Sequence, residues 1–78
     1  MKPKAPATGM PAALRAEGHA LVVKARRSGD PGGPEVSELW LWLETQRLDG
    51  LCRIEVFFDE GDFGHDLDTI AGVIDEAR

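Results

Sequence analysis

The chain predicts a small α+β domain: a three-stranded antiparallel meander with a helix packed on one face and a short helix before it. Three observations carry that expectation. Two stretches, HALVVKARR (19–27) and ELWLWLETQ (38–46), alternate in polarity with the period of two that a half-buried strand shows. A third, LCRIEVFFD (51–59), repeats the pattern after an Asp49-Gly50 turn signal. The C-terminal segment instead places its apolar residues at helical spacing.

Residues 1–9 hold two lysines, two prolines and no apolar periodicity, so they read as a flexible tail ahead of a single domain, 10–78. From Met10, Pro11 suits a helix start, and Ala12, Ala13, Leu14 and Ala16 are good helix formers. Gly18 reads as the stop of this two-turn helix. The first strand follows, with Leu21, Val23 and Ala25 on one face and Ala20, Val22, Lys24 and Arg26 on the other. SGDPGGP (28–34) is turn chemistry and reads as a long hairpin connection.

In the second strand Leu39, Leu41 and Leu43 face one way, and Trp40, Trp42 and Glu44 the other. A helix starting at Glu35 is the competing reading, but the Trp-Leu alternation favours the strand. In the third, Cys52, Ile54, Val56 and Phe58 oppose Leu51, Arg53, Glu55 and Phe57. Asp66 can cap the last helix, whose stripe of Leu67, Ile70, Ala71, Ile74 and Ala77 would cover the leucine face of the sheet. The other sheet face would expose Val22, Trp40, Trp42 and Phe57. That face reads as a self-association surface, and therefore as a possible homodimer; the alternative is that the tryptophans are core.

Size and composition exclude some functions. A chain of 78 residues hides only about 60% of its unfolded surface on folding, which leaves no room for a deep pocket. Cys52 is the single cysteine, so no internal disulfide forms. There is no apolar run long enough for a membrane span or a signal peptide, and the expected location is cytoplasmic, with Cys52 reduced.

FFDEGDFGHDLD (57–68) contains five carboxylates and a histidine but fails the spacing of a calcium-binding EF-hand loop. His19, His65 and Cys52 lack the paired spacing of a zinc site. The Asp62-Phe63-Gly64 triplet stands without the other parts of a kinase, and no nucleophile elbow or phosphate-binding loop occurs. The sequence thus predicts a non-enzymatic protein without cofactor or metal. An enzyme using His65 and neighbouring aspartates is the remaining chemical alternative.

Charge is more informative. Residues 1–30 sum to +4, 31–54 to −2 and 55–78 to −7, against a total of −5. Glu55, Asp59, Glu60, Asp62, Asp66, Asp68, Asp75 and Glu76 form the acidic block. It reads either as a solubilising face or as a surface presenting carboxylates where a basic protein expects phosphates. Direct nucleic-acid binding is not expected, because the basic cluster is small and lies at the N-terminal end.

An acidic single-domain chain of this length, with a small sheet and a helix bearing DEGDFGHDLD and IDEAR, resembles the small anti-CRISPR proteins of phages and mobile elements. The resemblance spans the chain in size, charge and inferred architecture, without a shared motif. It implies an inhibitor that docks its acidic surface onto a basic nucleic-acid channel of a CRISPR effector complex. The runner-up is a small structural or regulatory module that homodimerises through the Trp40/Trp42 face.

Overall fold

Four helices in chain order make up the computed structural model, which describes residues 10–52 and 61–77: α1 (Ala12–Ser28), α2 (Pro34–Thr45), the single turn α3 (Asp49–Cys52) and α4 (Phe63–Glu76). Among the described residues there is no strand, so they form three packed helices and the single turn α3, and not the α+β meander that the alternation predicts. Positions 19–27 belong to α1 and 38–45 to α2; of the third predicted strand, 51–52 close α3 and 53–59 lie outside the described residues. The tail predicted at 1–9 also lies outside them.

α1 does not stop at Gly18. The residue sits inside the helix, buried, at a cost of roughly 1 kcal/mol relative to alanine. Packing offsets that cost: a Cβ at position 18 would lie 2.5 Å from Trp42 Cη2, 2.8 Å from Trp42 Cζ3 and 3.0 Å from Ile74 Cδ1. Gly18 is thus the point where side chains of α2 and α4 both press onto the α1 backbone. With Val22 and Ala25 it forms the buried stripe of α1, at spacings of four and three.

Gly29, at φ 66°, is the actual end of α1, its N–H donating to the Ala25 carbonyl at 3.2 Å. Arg26 and Arg27 in the last turn complement the negative end of the helix dipole. The predicted hairpin connection is instead a compact helix–helix turn. The Asp30 carboxylate accepts from the Gly32 N–H at 3.1 Å, and the Asp30 carbonyl accepts from the Gly33 N–H at 3.0 Å.

α2 begins with Pro34 in the first turn, where a missing N–H costs nothing, and carries Glu35 at the positive end of the dipole. The helix reading that competes at Glu35 is therefore the one that holds. Its buried residues are Val36, Leu39, Trp42 and Leu43, the helical spacing, whereas Leu41 is 63% exposed. The strand reading placed Leu39, Leu41 and Leu43 on one face.

α2 ends in a Schellman motif: the Leu48 N–H donates to the Leu43 carbonyl at 2.8 Å and the Arg47 N–H to the Glu44 carbonyl at 3.0 Å. Leu48 is buried, which supplies the apolar contact this motif favours. The left-handed residue of the motif is Arg47, at φ 62°, where glycine would carry no Cβ penalty.

α4 agrees with the sequence reading in type and in its buried residues Leu67, Ile70 and Ile74, with Ala77 buried at its C-cap and Ala71 packed at the core margin. It starts at Phe63 with Asp62 in the cap position, so Asp66 lies in the first turn and is not the cap. Leu39, Leu43, Leu67, Ile70 and Ile74 are fully buried and form the centre of the core.

Leu39→Ala should lower unfolding stability by about 2–5 kcal/mol, and Leu41→Ala should change it by less than about 0.5 kcal/mol, read as urea midpoints at equal slope. Equal costs at both positions would return this segment to a strand. Arg47→Gly should raise stability by up to about 1 kcal/mol, since it relieves the left-handed backbone penalty.

Candidate protein-binding surface

α1 runs antiparallel to both of its neighbours, and polar contacts fix its register against each. Toward α2, Lys24 Nζ lies 3.2 Å from Glu38 Oε1, and the Trp42 indole N–H donates to Glu17 Oε1 at 3.3 Å. Toward α4, Arg26 donates to Asp68 Oδ1 at 2.8 Å, and His19 Nε2 lies 2.7 Å from Asp75 Oδ1. His19 and Arg26 are seven residues apart, as are Asp68 and Asp75. Two helical turns on one helix therefore meet two turns on the other.

The predicted acidic block divides under this geometry. Glu55, Asp59 and Glu60 lie outside the described residues. Asp62 occupies the cap position of α4, where its carbonyl accepts from the Asp66 N–H at 2.8 Å. Asp68 and Asp75 are exposed, but each is engaged by a side chain of α1. Asp66 is half-buried in the first turn and Glu76 is exposed in the last, and neither makes an ion pair among the described residues.

The acids do more than one job. Asp66 near the positive end of α4 is favourable to the helix, whereas Asp75 and Glu76 oppose the negative end. His19 Nε2 contacts Asp75; Glu76 has no side-chain partner among the described residues. On α2, Glu35, Glu38 and Glu44 are accompanied by no basic residue, and α4 likewise has neither Lys nor Arg among its residues. α1, with Arg15, Lys24, Arg26 and Arg27, is thus a basic helix held between two acidic ones.

The predicted self-association face is corrected. It depended on a sheet, and Val22 and Trp42 are in the core at 3% and 9% exposure, while Trp40 is partly buried against it. Phe57 lies outside the described residues. Among the described residues the exposed large apolar side chains are Val23 and Leu41 instead, one each on α1 and α2.

His65 is exposed on α4, its carbonyl accepting from the Thr69 hydroxyl at 3.0 Å. Among the described residues no three His, Cys, Asp or Glu side chains are placed to hold a metal ion. No helix among them is long and apolar enough to cross a membrane. Comparison with protein families, with curated proteins and with solved structures finds no match for the chain.

Sequence reasoning missed the packing role of Gly18, the partner role of Glu17 and the four residues of the α1–α4 polar pairs as a set. The signal was present in the matched seven-residue spacings, but it has meaning only once both segments are helices. Because these pairs are solvent-exposed, Asp68→Asn or Asp75→Asn should each cost less than about 1 kcal/mol in urea unfolding, with the helical circular dichroism unchanged.

Proposed function

We propose that the protein is a non-enzymatic binding module that docks carboxylates onto a basic surface of a partner protein. The observation that carries this reading is that, in a chain of formal charge −5, acids on α2 and α4 stand without a cation against them among the described residues. Lys24–Glu38 and Arg26–Asp68 each cancel one acid against one base, so the formal −5 remains on groups outside them. Glu44 and Glu76 are exposed and Asp66 half-exposed, and no cation lies against any of them among the described residues. Glu76 also sits where the α4 dipole disfavours it, so stability alone gives no reason for an acid there.

The partner class comes from the resemblance to anti-CRISPR proteins: a CRISPR effector complex whose basic channel receives guide or target nucleic acid. That resemblance now stands on size and charge, because the small sheet that formed part of it is replaced by helices. Carboxylates placed at such a channel would speed encounter and compete with phosphates for the same arginines and lysines. The basic outer groups of α1 favour a docking orientation that presents α2 and α4 to the channel, with α1 turned away.

The test is competition on purified effector complexes. The wild-type protein should displace target DNA from a susceptible effector, and the displacement should weaken with salt as the Debye length falls below roughly 8 Å. A Glu44→Gln, Asp66→Asn and Glu76→Gln triple variant should keep its helical circular dichroism while binding about tenfold or more weaker at low salt. Equal affinity of variant and wild type at low and high salt would reduce the acids to a solubilising role.

A further inference from the structure

We draw no further inference here: the strongest candidate, the exposed apolar stripe formed by Ala12, Ala16, Ala20 and Val23 along the outward face of α1, stands alone, because nothing in the structure shows what covers it.

Discussion

The close approach of Trp42 and Ile74 to the backbone of α1 at Gly18 is the constraint on which the arrangement depends. Any side chain at position 18 would overlap the indole ring, so the absence of a Cβ sets how near α2 and α4 come to α1. The glycine weakens the helix locally, and the aromatic burial it permits outweighs that cost. Leu39, Leu43, Leu67 and Ile70 then fill the space between the three helices to complete exclusion of water. A thin core of this kind, in a chain of 78 residues, has little redundancy, so one misfitted contact at its centre removes a large fraction of the stability.

Charge follows the same geometry. α1 is basic because it lies between two acidic helices, and its cations reach one acid on α2 and, with His19, two on α4. Exposed pairs contribute little energy, but they disfavour a slipped register in which acids would face acids. The N-terminal third, which sums to +4 in the sequence, thus has a structural role for Lys24 and Arg26, and His19 joins them. What remains is an acidic exterior on α2 and α4, in excess of what the helices themselves use.

α4 was legible in the sequence because Leu67, Ile70, Ile74 and Ala77 follow helical spacing with no competing period. α2 was not, because Trp-Leu-Trp-Leu satisfies a period of two while Val36, Leu39 and Leu43 also satisfy the helical one. Pro34 starts the helix, but in sequence it reads as the last residue of the SGDPGGP turn, so the alternation stands without an opposing start signal. α1 was cut short because a glycine at position 18 reads locally as a terminator; its use as a packing surface depends on Trp42 and Ile74, far away in sequence. For the candidate site, the acidic excess was plain from composition. Which acids α1 engages was not, since the His19–Asp75 and Arg26–Asp68 pairs require the antiparallel packing of two helices.

The account is tested most directly by a double-mutant cycle between Gly18→Ala and Trp42→Leu, read as unfolding free energies. In the wild-type background Gly18→Ala should destabilise by about 1–3 kcal/mol, because overpacking against the indole exceeds the gain in helix propensity. With leucine at position 42 the clash is relieved, and the same alanine should be neutral or stabilising by up to about 1 kcal/mol. If Gly18→Ala stabilises both backgrounds equally, as it would at an open position in a helix, the close approach at Gly18 does not organise this fold.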